Sequence, residues 1–234
     1  MKNVKYKIFV LHGWAYSTEK WQPFLTLLKK QGIEPVMLQI PGLTAPLEEV
    51  WTLDNYVSWL KKSVEKEKGK VILLGHSNGG RIAISFAAKY PEKVAQLVLI
   101  DSAGLYHKEL LLQIKRAVFQ TIAKIGRKLH KSDHLRYLLY RFARENDYYR
   151  ANPAVRKTMH NLIKVDLSPL LPQIVIPTLI IWGQDDKVTP VIDGERMQAL
   201  LPNARLHIVN GAHHSPQFTH EKEVAAIITQ DLEK

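Results

Sequence analysis

One serine in this chain sits between glycines where an apolar run gives way to a helical pattern. Residues 73–80 read LLGHSNGG, placing Ser77 inside Gly75-His76-Ser77-Asn78-Gly79. A serine hydroxyl is a poor nucleophile at neutral pH until a neighbouring base takes its proton. Histidine has the proton affinity to take that proton and return it to a leaving group. A carboxylate fixes the imidazole tautomer and stabilises the imidazolium that forms. Backbone N–H groups must wait for the negative charge that builds on the substrate oxygen. The chain offers residues for each part: His12-Gly13-Trp14, Asp101-Ser102, Asp185 and Asp186 after Gly183, and His213 and His214 before Ser215-Pro216. A serine, an acid and a histidine therefore occur in that order.

These groups can act together only if the fold gathers them. Short β-branched runs at 6–13, 34–40, 70–75, 94–101, 176–183 and 204–209 read as strands. Helical spacing recurs at 18–32, 53–67, 78–91, about 190–201 and about 219–232. The alternation predicts an α/β fold, a mostly parallel sheet of about six strands with helices on both faces. The stretch 102–175 is too long for a bare loop and carries helical patterns. It is expected to be a helical cap inserted into a core made of 1–101 and 176–234. In an open parallel sheet, chemistry collects at the carboxyl ends of the strands, and every candidate group follows a strand. Ser77 falls at a strand-to-helix turn, where small flanking residues let the two elements close on it.

On these residues the chain resembles an α/β-hydrolase-fold serine hydrolase of the carboxylesterase kind, across nearly all of its length outside the cap. Gly75–Gly79 resembles the nucleophile elbow, His12-Gly13-Trp14 the oxyanion loop, Gly183–Asp186 the acid turn, and His213–Pro216 the histidine loop. The resemblance implies Ser77 as nucleophile, His214 as base and Asp186, three residues after Gly183, as acid. It also implies the backbone N–H groups of Trp14 and Asn78 as the oxyanion hole, with His12, Gly13, Gly75, His76 and Gly79 in support. The implied reaction is hydrolysis of a small or medium carboxylic ester through an acyl-enzyme. Carbon–carbon, amide or thioester hydrolysis would use the same residues, and a non-enzymatic ligand receptor could share the fold. Two departures stand out: no room remains for an antiparallel hairpin before the first strand, and His213 occupies a position where the family often has glycine.

Other readings of single residues are bland. Asp185 reads as solvated or as a cap, Asp101 as a loop residue or a rival acid, and His207 and His220 as structural or surface groups. No His-Glu-x-x-His or comparable spacing appears, so neither a catalytic metal nor a cofactor is expected. With no cysteine, disulfides and thiolate sites are ruled out. Apolar residues make up 46% of the 234, enough for a packed core. The apolar run IFVL is too short for a secretory signal, and no window has the length of a membrane span; a cytoplasmic location is expected. The net charge of +11 is uneven. Residues 105–170 hold 14 Lys and Arg against 5 Asp and Glu, while the rest hold 19 against 17. Within that segment, 108–131 has an amphipathic basic pattern. It reads either as the solvated outside of a cap helix or as a face for anionic lipid or acidic substrate. No nucleic-acid-binding motif is present.

Overall fold

The computed structural model describes residues 6–105 and 153–234. Six strands form one sheet: β1 (Tyr6–Leu11), β2 (Ile33–Met37), β3 (Val71–His76), β4 (Val94–Ile100), β5 (Thr178–Gly183) and β6 (Ala204–Val209). Their order is β2-β1-β3-β4-β5-β6, and every pairing is parallel. β3 and β5 are buried along their whole length, which is why their sequences read as continuous apolar runs rather than alternating ones.

Side chains leave the strands alternately to the two faces, and each face has its own core. Phe9, Leu11, Leu73, Leu97, Leu99, Ile180 and Trp182 pack with α2 (Leu53–Val64) and α3 (Asn78–Lys89). Ile8, Val10, Ile72, Leu74, Val98, Ile100, Leu179 and Ile181 pack on the other side. Their partners there are α1 (Gln22–Lys30), through Phe24, Leu25 and Leu28, and the C-terminal helix, through Val224, Ala225 and Ile228. Burying one such side chain contributes about 1.5–3 kcal/mol, so the sheet is held from both sides.

Helix boundaries depart from the sequence pattern for local reasons. The helix expected over 18–32 begins at Gln22 after a 3-10 turn at Glu19–Trp21. Pro23, in its first turn, has no N–H to leave unbonded. After α4 (Pro153–Ile163) and α5 (Val191–Leu200), the C-terminal helical stretch is divided into α6 (Pro216–Thr219) and α7 (Glu221–Leu232). His220, at φ −130° and ψ 41°, separates them.

Most of the expected cap, 106–152, lies outside the described residues. Residues 153–175 are described, and hydrogen bonds tie them to the rest of the described chain. The Trp51 N–H donates to Thr158 Oγ1 at 2.8 Å, and Arg81 Nη1 to the Val165 carbonyl at 2.6 Å. The Leu167 N–H donates to the Gly104 carbonyl at 2.8 Å. Among the described residues, no helix is long and apolar enough to cross a membrane.

Candidate active site

Ser77 links β3 directly to α3 at φ 52° and ψ −119°, a conformation that L residues seldom adopt. Its neighbours explain how the chain tolerates it. A Cβ on Gly75 would lie 2.5 Å from Gly80 Cα, and one on Gly79 would lie 2.7 Å from the His12 carbonyl oxygen. Glycine at both positions lets strand, helix and β1 meet. Asn78 is the first residue of α3, so its N–H is among those with no intrahelical acceptor.

The loop after β1 lies against this turn. A Cβ on Gly13 would fall 2.9 Å from His76 Nδ1 and 3.0 Å from Ser77 Cβ. The fully buried His12 sets the loop's shape: its Nδ1 lies 2.8 Å from the Gly13 carbonyl oxygen and its Nε2 3.0 Å from Thr44 Oγ1. Burial holds His12 below the ordinary imidazole range, against the opposing Gly13 bond. The ring is thus neutral with a single N–H. The Gly13 carbonyl can only accept, so that hydrogen is on Nδ1, and the Thr44 hydroxyl donates to Nε2. Thr44 Oγ1 in turn accepts the Ile40 N–H at 2.9 Å. With the Gly13 carbonyl turned towards His12, the trans peptide points the Trp14 N–H the opposite way. The Trp14 ring packs beside Leu47, Val155 and Trp51.

The acid turn follows β5. Asp186 is buried, while Asp185 is exposed. Asp186 Oδ1 accepts the Val188 N–H at 2.7 Å and the Thr189 N–H at 3.1 Å; Oδ2 accepts the Thr189 hydroxyl at 2.8 Å. Oδ2 also lies 2.7 Å from His214 Nδ1. Burial pushes the Asp186 carboxyl up, but the His214 bond and charge, Thr189 and the Val188 N–H outweigh it, leaving it below its ordinary value. As an anion it can only accept, so His214 carries a hydrogen on Nδ1, and in a neutral ring that leaves the lone pair on Nε2. His213 is exposed, and its Nδ1 meets the Asp185 carbonyl oxygen at 3.0 Å.

The histidine loop connects back to the elbow through Ser215 and His76. Ser215, at φ 113°, places Oγ 3.2 Å from His76 Nε2. The His76 and His214 rings lie 5.1 Å apart, centroid to centroid. The structure therefore brings together the elbow, His12-Gly13-Trp14, the acid turn and His214. It leaves His207 on the edge strand β6 and His220 between α6 and α7. A cavity of about 210 Å³ opens at the other end of the strands, beside Lys7, Glu67 and Lys70, away from all of these groups.

Sequence reasoning missed the roles of Thr44, Thr189 and Ser215; Asp101, read as a loop residue or a rival acid, does stand in the loop after β4, but its hydrogen bonds were not foreseen. The Asp-x-x-Thr spacing hinted at Thr189, because a threonine three residues after an acid can close a turn on it. Thr44 gave no signal, lying 32 residues from its partner His12. Asp101 is fully buried and accepts the Gly183 N–H at 2.8 Å and the Ser215 N–H at 2.7 Å. His76, Asp101 and His214 also form a set of metal-type donors whose atoms lie within 4.8 Å of one another. Both Asp101 oxygens already accept backbone N–H groups, and His214 Nδ1 is committed to Asp186. The donor set is thus turned towards positioning protein groups.

The family described as serine aminopeptidase, S33, matches residues 2–223. The chain is 26% identical to a 2-hydroxy-6-oxononadienedioate/2-hydroxy-6-oxononatrienedioate hydrolase of Cupriavidus pinatubonensis, covering 96% of this chain and 86% of the relative. It is also 26% identical to a pimeloyl-[acyl-carrier protein] methyl ester esterase of Shewanella woodyi, covering 97% and 94%. Among solved structures it is similar to MGS-MChE2, an α/β-hydrolase enzyme from the metagenome of lagoon sediments at Mar Chica, Morocco. There the TM-score is 0.73 at 25% identity, over 99% of this chain and 92% of the other.

Proposed function

The chain belongs to the α/β-hydrolase family described as serine aminopeptidase, S33, and on that premise we propose that it cleaves a small or medium carboxylic ester through an acyl-enzyme on Ser77. The observation that carries the reading is the Asp186–His214 pair at 2.7 Å, with the His214 ring 5.1 Å from that of His76, the residue before the strained Ser77. His214 Nε2 takes the Ser77 proton as Oγ attacks the ester carbonyl. The oxygen turned anionic is met by the N–H groups of Trp14 and Asn78, already oriented before substrate arrives. As the tetrahedral adduct collapses, His214 hands its proton to the departing alkoxide. Water then repeats the attack with His214 again as base and frees the acid.

The apolar group of Trp14, Leu47, Trp51 and Val155 beside the oxyanion loop suits an aliphatic acyl chain. The similarity to the pimeloyl methyl ester esterase supports the ester bond. Carbon–carbon hydrolysis is the second reading, favoured by the oxononadienedioate hydrolase that matches over nearly the whole chain. The positive charge concentrated in 105–170 suits an acidic substrate or an anionic lipid surface, and with it the cap role proposed for 102–175.

The test is labelling by a fluorophosphonate together with turnover of chromogenic esters graded in chain length. Ser77→Ala is expected to abolish labelling and to lower kcat by about 10⁶-fold. A folded wild-type protein that neither labels nor cleaves any ester in the series would refute the proposal.

A further inference from the structure

The described residues contain three non-glycine residues with positive φ: Ser77 at 52°, Asp101 at 42° and Ser215 at 113°. All three meet at this site, and strain of this kind persists only where surrounding structure enforces it. Ser77 and Ser215 belong to loops already described. Asp101, the first residue after β4, joins them. Its Oδ1 accepts the Gly183 N–H, where the acid turn begins, and its Oδ2 accepts the Ser215 N–H, in the histidine loop. Two residues on, the Ala103 N–H donates to the Ser77 carbonyl oxygen at 3.0 Å. One short loop is thus bonded to the elbow, the acid turn and the histidine loop.

We propose that Asp101 is a positioning residue of this hydrolase: as an anion it clamps the acid turn to the histidine loop, and so sets the approach of Asp186 to His214. The proposal rests on the reading of the site as a serine hydrolase. Both carboxylate oxygens face N–H donors. A protonated carboxyl presents O–H from one of them, a donor facing a donor, so one clamp is lost on protonation. The ionisable groups around Asp101 are His76 from β3, Asp186 from the acid turn and His214 from the histidine loop. Burial pushes the Asp101 carboxyl up to about 7, with Asp186 adding to the rise, while the two N–H bonds and His214 oppose it. The clamp therefore opens over the pH range in which such an enzyme works. Asp101 reaches His214 through Ser215 and through Thr189, whose Oγ1 lies 3.2 Å from the Asp101 carbonyl oxygen and 3.3 Å from His214 Nδ1, so its effect falls on geometry and not on proton transfer itself.

The test is the pH dependence of kcat/KM on a chromogenic short-chain ester for the full chain and for Asp101→Asn. Amide hydrogen exchange at Ser215 and Gly183 is measured alongside. In the wild type the acid limb is expected to approach a slope of 2, one proton on the imidazole base and one on Asp101. Asn presents one acceptor and one donor, so Asp101→Asn is expected to show a slope of 1. It should also lower kcat/KM at pH 8 by about 10–100-fold, chiefly in kcat, the size of loss that a misplacement of about 1 Å produces. Exchange at one of the two amides should rise about tenfold in the variant. In the wild type it should rise between pH 8 and pH 5, after correction for intrinsic exchange. A slope of 1 in the wild type with unchanged amide protection would overturn the proposal, and this holds even should the variant fail to fold. A wild type with no hydrolase activity would defeat the hydrolase reading instead, leaving the exchange measurement to judge the clamp.

Discussion

Thr44→Val removes one oxygen and leaves the side chain's volume nearly unchanged. That oxygen serves two buried groups: it donates to His12 Nε2 at 3.0 Å and accepts the Ile40 N–H at 2.9 Å. His12 and Ile40 are both fully buried. A buried polar group left without a partner costs about 1–3 kcal/mol. Thr44 itself is half-buried, so water regains part of that loss, and a net destabilisation of about 2–3 kcal/mol is expected. The catalytic effect is separate. Without the hydroxyl, His12 Nε2 loses the donor that steadies the ring, and the ring's Nδ1 hydrogen bond to the Gly13 carbonyl is held less firmly. Removing an oxyanion donor outright costs about 10²–10³-fold in kcat; loosening one is expected to cost about tenfold, with KM little changed. Urea denaturation followed by tryptophan fluorescence reads the first effect, and ester hydrolysis the second. Thr44→Ser keeps the hydroxyl and should stay within about 1 kcal/mol of wild type. If the valine variant matched wild type in both midpoint and kcat, the account of how His12 orients the oxyanion loop would be wrong.

Gly79→Ala would place a methyl 2.5 Å from Leu11 C and 2.7 Å from the His12 carbonyl oxygen. Backbone must move to make room, so a fall of at least about 10²-fold in kcat/KM is expected, with about 1–3 kcal/mol of lost stability; kinetics within threefold of wild type would contradict it. The raised Asp101 value also has a sign in stability. The native state holds that proton more tightly than the unfolded chain does, so the contribution of Asp101 falls as pH rises from about 4 towards about 7. Compared with wild type, Asp101→Asn should therefore gain about 2–3 kcal/mol between pH 5 and pH 8 in denaturant titrations, and a constant difference would count against the buried anion. Together with its predicted effect on kcat, this describes a group whose function costs stability.

The alternation of strands and helices was legible because it rests on local periodicities, 2.0 and 3.6, and on glycine and proline punctuation. The turn at Ser77 was legible for the same reason: Gly75 and Gly79 mark where strand, helix and β1 crowd together. The order of serine, acid and histidine was legible too. Residue types alone did not separate Asp185 from Asp186 or His213 from His214. Resemblance favoured the second of each pair, and tertiary structure buries Asp186 against His214 while Asp185 and His213 stay exposed. The roles of Thr44 and Asp101 lay beyond the reach of the sequence. Asp101 finds its N–H partners 82 and 114 residues away, and its proton affinity depends on how completely other segments bury it. Local chemistry chose which residues stand at the strand ends. Only the packing of distant segments decided which of them are dry, which are charged and which hold the others in place.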